Sequence, residues 1–230
     1  RLYADEFSLA MNEVIHRRDV LRSEVGPDDI ILYFFSIFDR DLNDVLALKC
    51  QRRIVYYHGV TSPRLLQVFD TEMSVQCAKA IRQLPSLSGF DRVVTNSEAS
   101  AANLQQAFES GGAPIGTIKV IPPKILGTGE LSIAGSRGNE ITPLEPNLLY
   151  VGRIRSHKRI EDLLHLVAHY RMIDPRVRCE IIGSPATPAY GDYLNWVQRR
   201  QLNLPEDAVS WLGDVSESEL VRAYGEATVY

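Results

Sequence analysis

Short apolar runs rich in β-branched and aromatic residues alternate along this chain with stretches of helical periodicity, and that alternation restricts the fold more than any other feature. Phe7, Met11, Val14 and Leu21 recur at helical spacing and predict a helix between Asp5 and Glu24. Gly26-Pro27 breaks the pattern, and Ile30 to Phe35 reads as a buried strand. The series continues with a helix near Leu42 to Leu48, a strand Ile54 to Tyr57, a long helix to Leu84, a strand Arg92 to Thr95, a helix to Phe108 and a strand Ile118 to Ile121. Strands that are apolar on both faces and separated by helices predict a parallel sheet, because right-handed β-α-β crossovers lay helices on both sides.

Pro122-Pro123 closes this first series. The stretch to Pro146 is rich in Gly, Ser, Thr and Pro without periodicity and reads as a linker with an excursion. A second series follows: a strand Leu148 to Val151, a helix with Ile160, Leu163, Leu164 and Val167 on one face, a strand Cys179 to Ile182, a helix around Leu194 to Leu202, a strand Val209 to Leu212 and a helix Glu217 to Tyr224. The expected organisation is two tandem Rossmann-like, doubly wound α/β domains, 1–123 and 147–230, joined by the linker 124–146. The chain opens on Arg1 within a helical pattern and closes on Thr228-Val229-Tyr230, the beginning of a strand, so both domains are expected to be incomplete.

With 25 Lys and Arg against 29 Asp and Glu, the chain lacks the global basic footprint of a nucleic-acid binder, and any anion site must be local. The longest apolar run, Ile30 to Phe38, is interrupted by Ser36 and is far shorter than the ~20 residues of a spanning helix. Cys50, Cys77 and Cys179 are scattered, with no C-x-x-C, and no Asn-x-Ser/Thr occurs, which makes a reducing cytosol the expected compartment.

Ligands of open α/β sheets gather at the carboxyl ends of the strands. Five of the seven residues from Arg153 to Arg159 are Arg, His or Lys, placed after the strand ending Val151-Gly152 and before a helix. Cations at a helix start oppose its dipole unless an anion is shared there, and phosphate is the natural candidate. Arg153 offers a planar fork, Lys158 a mobile charge, and Gly152 a close backbone approach. The same residues also fit a solvated basic loop partly neutralised by Glu161 and Asp162, and position does not separate the two readings. His58 follows a strand and precedes Gly59-Val60-Thr61-Ser62-Pro63; taken alone, a single His there is more often a hydrogen-bonded structural residue than a catalytic one. Ser97, in Asn96-Ser97-Glu98, suits a helix cap. Gly183-Ser184 and Gly213-Asp214-Val215 place small residues at two further strand ends. His165 and His169 flank Leu166-Val167-Ala168, not the H-E-x-x-H of a zinc site, and G-x-G-x-x-G, G-x-x-x-x-G-K-[ST] and G-x-S-x-G do not occur.

Together, Tyr57 to Pro63, Val94 to Glu98, Ile118 to Pro123, Tyr150 to Lys158 and Leu212 to Ser216 with Glu219, Leu220 and Tyr224 resemble the family 4 retaining glycosyltransferases of the GT-B fold. The resemblance implies two Rossmann-like domains facing across a cleft, with a sugar nucleotide bound mainly to the second. It implies that Gly152, Arg153 and Lys158 hold the donor diphosphate and that His58 touches the donor sugar as the catalytic residue. Gly183, Ser184, Asp214 and Val215 would flank base and ribose, and Gly59, Thr61 and Ser97 would form the loop toward sugar and acceptor. Two departures stand out: His58 is followed by Gly, and Lys158 by Arg159 where the family has Gly. The family's paired glutamates and first Gly-rich loop are absent from these 230 residues.

The expected activity is metal-independent, retaining hexosyl transfer from a UDP- or GDP-sugar to a glycan or lipid-linked acceptor, with no cofactor and no nucleic-acid partner. The expected location is the cytoplasm or the inner face of the membrane, held there peripherally. A sugar-nucleotide epimerase on the same fold, or a silent nucleotide-sugar-binding scaffold, are the alternatives.

Overall fold

The structure is a computed structural model that describes residues 2–4, 15–17, 20–114, 116–123 and 146–230. Two compact units emerge, residues 1–61 with 75–124 and residues 62–74 with 125–230. Residues 62–74, which the sequence pattern places with the first domain, therefore pack with the second unit. The expected linker lies outside the described residues, apart from Pro146 at its end.

In the first unit, β1 (Leu2–Ala4) and β2 (Ile15–Arg17) form a separate parallel pair, and α1 (Leu21–Glu24) follows. The helix expected over 5–24 is thus corrected at 15–17, while Phe7, Met11 and Val14 lie outside the described residues. Helical spacing of a few apolar residues was outweighed by the β-branched Ile15 in a paired strand, a tertiary gain that local periodicity does not register. The main sheet runs β3 (Ile30–Phe35), β4 (Arg52–Tyr57), β5 (Arg92–Thr95) and β6 (Ile118–Val120), in that order and parallel throughout. The helices are α2 (Leu42–Leu46), α3 (Thr71–Gln83), which begins in residues of the second unit, and α4 (Glu98–Ser110). Val55, Tyr57, Leu84, Leu87, Leu104 and Phe108, all at most 1% exposed, form the centre of its core. Burying each such Leu or Phe contributes about 1.5–3 kcal/mol. Register aligns Phe35 with Tyr57 and Tyr57 with Thr95, so the residues after β4 and β5 share one edge.

The second unit holds β7 (Asn147–Val151), β8 (Arg178–Ile182) and β9 (Val209–Gly213), parallel and in that order. Val229 pairs in parallel with Leu148 on the other side of β7, so the chain direction across the sheet reverses there. Crevices at such reversals are where ligands of this architecture bind. The helices are α5 (Ile160–Ile173), α6 (Pro188–Trp196), continued as a π-turn Val197–Gln201, and α7 (Glu217–Glu226). Pro188 at the first turn of α6 starts this helix earlier than the apolar pattern suggests. One core lies between the sheet and α5 and α6, around Ile181, Leu164, Val167 and Leu194; a second, around Leu149, Ile182 and Ala223, lies under α7. Leu66 is buried, and Phe69 lies 5.1 Å from the Tyr190 ring and 5.0 Å from that of Tyr193, which fastens 62–74 to α6. Among the described residues no helix is long and apolar enough to cross a membrane, and Cys50 and Cys179 are free thiols.

Candidate functional site

The carboxyl ends of β7, β8 and β9 converge on three glycines. Gly152 N–H donates to Ile182 O at 3.0 Å, and Gly183 N–H donates to Gly213 O at 2.8 Å. Register slips by one residue between Ile181 and Ile182, which brings Gly213 opposite Ile182 and Gly183. Gly183 has φ +129°, and a Cβ built on it would lie 2.0 Å from the Gly152 carbonyl oxygen. No other residue fits there, because both partners are backbone. Beyond the glycines the two loops run on side by side: Ile154 N–H reaches Ser184 O at 3.3 Å and Ala186 N–H reaches Ile154 O at 3.0 Å. Ile154 is 1% exposed and anchors the segment, while the Tyr150 hydroxyl ties back to Arg153 O at 3.1 Å.

These loops border an open cleft of ≈ 510 Å³ whose walls include Gly152, Arg153, Gly183, Ser184, Asp214 and Val215. The volume lies in the range of small-molecule sites. Six sequence-nominated residues thus share one cleft within the second unit. Lys158 is not in its wall, whereas Arg155, absent from the nominated set, is.

The basic cluster separates into committed and uncommitted charges. Arg155 Nη1 lies 3.3 Å from Asp70 Oδ2. Arg159 places both guanidinium arms on Asp162 at 2.9 Å and comes within 3.4 Å of Glu161, which holds its proton still more tightly than usual. His157, in the 3-10 turn Ser156–Lys158, has its pKa lowered, first by burial and then by Lys158 and Arg155, and its buried Nδ1 has no hydrogen-bond partner among the described residues. Arg153 and Lys158 are exposed, and among the described residues neither side chain makes a hydrogen bond or ion pair. The solvated-loop reading holds for Arg159, the residue that Glu161 and Asp162 neutralise. Arg159 also has φ +55° and ψ +47°, the left-handed conformation that suits the Gly of the resembling family at this position.

The first turn of α5 is closed by protein groups. The Tyr190 hydroxyl accepts from Ile160 N–H at 3.1 Å and donates to the Glu161 carboxylate. An anion among these cations would therefore meet the loop at Gly152 to Arg155 before it met the helix start.

In the first unit, His58 leaves β4 with its N–H on Phe35 O at 3.0 Å, and its carbonyl accepts from Asn96 Nδ2 at 3.2 Å. The exposed imidazole lies edge-on to Tyr56 at 4.7 Å and 5.8 Å from Phe34, and among the described residues it makes no hydrogen bond. The backbone of His58 is structural; its ring nitrogens are uncommitted. Gly59 turns the chain with φ +90°. Ser97 caps α4, its Oγ accepting from Ser100 N–H at 3.2 Å, and Thr61, half-buried, ends the unit's first segment. Asp39-Arg40-Asp41 has the D-x-D spacing of a metal-binding pair and stands outside the nominated residues. Asp39 accepts from the Tyr33 hydroxyl and, at 2.9 Å, from Asp41 N–H, so its carboxylate organises the turn before α2.

Residues 136–230 match the family described as Glycosyl transferases group 1. No curated protein matches the chain. Among solved structures, it resembles an alpha,alpha-trehalose-phosphate synthase (UDP-forming) from Burkholderia vietnamiensis, with TM-score 0.61 and 15% identity over 89% of this chain and 50% of that one. It also resembles TarM, with TM-score 0.58 and 13% identity over 92% of this chain and 38% of that one. A third likeness is to sucrose-phosphate synthase from Thermosynechococcus elongatus, with TM-score 0.57 and 18% identity over 95% of this chain and 57% of that one. The chain thus spans about half the length of these proteins. The fold is that of GT-B glycosyltransferases, with the two parallel α/β units expected from the strand and helix alternation and the GT-B type that the resemblance implies.

Proposed function

We propose that the protein is a retaining glycosyltransferase of family 4 that transfers a hexosyl group from a UDP- or GDP-sugar to a glycan or lipid-linked acceptor without a metal ion. The observation that carries this reading is the division of the basic cluster. Of its five members, Arg153 and Lys158 are the Arg and Lys side chains that meet no carboxylate among the described residues, and Arg153 stands in a cleft with Gly152, Gly183, Ser184, Asp214 and Val215. When the sugar's C1–O bond breaks, its electron pair stays on the departing phosphate, and uncommitted cations beside that oxygen stabilise the charge more in the transition state than before it. Gly152 leaves the backbone bare on the phosphate side, and Ser184 with Asp214 and Val215 take the ribose and base. His58, with Gly59 and Thr61, is assigned to the donor sugar, as the resemblance implies. A donor that leaves UDP is consistent with the neighbour named as UDP-forming, and two neighbours are named as synthases of sugar phosphates.

An epimerase requires acid and base groups converging on one sugar carbon. Asp214 is the one carboxylate in the cleft wall among the described residues, and no histidine stands there, which favours transfer. The test is calorimetric titration of UDP and GDP into the intact protein and its Arg153→Ala and Lys158→Ala variants. Loss of a charge-assisted contact costs about 1.5–3 kcal/mol, roughly a 10- to 150-fold weaker complex. Unchanged affinity in both variants would sink the assignment, and binding without turnover on any sugar donor would favour the scaffold reading.

A further inference from the structure

Arg155 lies at the junction of two spaces, in the wall of the cleft and also in that of a small recess formed with Leu66, Phe69, Asp70 and Tyr190. It follows Arg153 by two positions in a segment held extended at Ile154, whose own N–H and carbonyl bond Ser184 and Ala186 on either side of Pro185. Residues at i and i+2 of an extended segment project to the same side, about 6.6 Å apart. The buried Ile154 points away between them. Arginines on backbone positions so close are both within side-chain reach of one diphosphate.

The Arg155 side chain is 22% exposed and that of Asp70 19%, so this is a largely desolvated pair. Yet the contact is a single one of 3.3 Å, through Nη1, and among the described residues the guanidinium makes no other hydrogen bond. An arginine has five N–H donors, and a half-buried one that satisfies a single acceptor retains donors for an anion entering the cleft. Asp70 is fixed independently. Its Oδ1 accepts from Met73 N–H at 3.1 Å at the start of α3, and its own N–H donates to Leu66 O at 2.7 Å. The Ser156 hydroxyl, on Leu65 O at 2.6 Å, fixes the neighbouring turn to the same segment. Burial first, then Lys158 and Arg155, oppose protonation of the neighbouring His157.

We infer that Arg155 is a further diphosphate-facing cation of the cleft, and that Asp70 is its positioning residue, dividing its carboxylate between the start of α3 and the guanidinium. This rests on the donor-binding reading above and extends it to residues that the sequence motif does not mark. Arg155 holds the phosphate oxygens through its planar fork. Asp70 touches no substrate and acts through Arg155.

The test titrates UDP, GDP and the bare nucleosides uridine and guanosine into the intact protein, Arg155→Gln, Arg155→Lys, Asp70→Asn and the Asp70→Asn/Arg155→Gln double variant, with a melting curve for each. Asn preserves the helix cap while removing the charge, so Asp70→Asn separates positioning from folding. Arg155→Gln is expected to weaken nucleoside diphosphate binding about 10-fold or more and to leave nucleoside binding unchanged. Arg155→Lys should recover part of the loss, because charge returns without the fork. Asp70→Asn should weaken diphosphate binding about 3- to 10-fold in the native background and add nothing in the Arg155→Gln background, the signature of one residue acting through another. Native diphosphate affinity in Arg155→Gln, alongside a loss in Arg153→Ala, would overturn the role of Arg155. An equal loss from Asp70→Asn in both backgrounds would overturn the positioning role. A native protein that binds neither UDP nor GDP would refute the donor-binding reading itself, and with it this extension.

Discussion

Substituting alanine for Gly183 places one methyl group where the carboxyl ends of β7 and β8 meet. The added Cβ would stand 2.0 Å from the Gly152 carbonyl oxygen and 3.0 Å from its carbonyl carbon, and neither backbone atom has a rotamer into which to retreat. Two costs combine. A non-glycine residue at φ +129° sits in a sparsely populated backbone region, at about 1–3 kcal/mol. Forcing the chains apart costs a further 1–3 kcal/mol or so, as for an overpacked core. A total of about 2–6 kcal/mol is large beside the ~5–15 kcal/mol of a whole domain. For a unit of this size each kcal/mol lowers the melting temperature by roughly 3–6 °C, so a loss near 3 kcal/mol predicts a fall of about 10–20 °C. The control is Gly213→Ala, where φ is +64° and a Cβ would meet nothing within 4 Å. There only the backbone term of about 1–2 kcal/mol applies. The assay is thermal unfolding followed by circular dichroism, with UDP titration below the transition. Relieving the clash must displace Gly152 and hence Arg153, so nucleotide affinity should fall in Gly183→Ala. If Gly183→Ala melts no lower than Gly213→Ala, the close approach argued here is refuted.

His58→Ala should leave UDP affinity within about twofold and lower turnover, measured by titration and by donor consumption; loss of nucleotide binding by a folded variant would remove the histidine from the sugar end. Tyr190→Phe strands the Ile160 N–H and removes one of two partners of the Glu161 carboxylate, leaving it Arg159, and a denaturant series should show about 1–3 kcal/mol of lost stability. The depressed pKa of His157 means that the unfolded chain binds more protons between the folded value and the ordinary 6.5, so stability rises with pH through that window and is flat below it. Melting curves from pH 5 to 7.5 should therefore show a smaller acid loss for His157→Gln than for the native protein, and parallel profiles would contradict the burial argument.

Much of this was legible in the sequence because buried parallel strands leave continuous apolar runs. Cys179 to Ile182 lie in β8, and Ile30 to Phe35 form β3, but β3, first in its sheet, is buried only at Phe35: Ile30, Leu32 and Phe34 are 60%, 54% and 62% exposed, so the apolar run there marked a strand and not the buried one expected. The cleft's glycines were legible for a related reason: they follow strands directly, and strand register carries them to one edge. Two features were hidden. Arg155 and Asp70 are 85 positions apart, and nothing in the local pattern of either announces an ion pair. Leu66 and Phe69 read as ordinary apolar residues ahead of α3, while their packing against α6 is a tertiary choice that no periodicity encodes. The separation of Arg159 from Arg153 and Lys158 was equally invisible, since it depends on which side chains reach Asp162.

The attachment of residues 62–74 to a unit built from 125–230 also sets an order of events during synthesis. At about 5–20 residues per second, the ribosome needs roughly 6–25 s to pass from Leu66 to Tyr190, whose ring receives Phe69. Over that interval Leu66 and Phe69 have no place to bury, although the strands around them have already been made. This short segment therefore waits as a sticky surface on the nascent chain, and a chaperone that shields it would serve this protein early in translation.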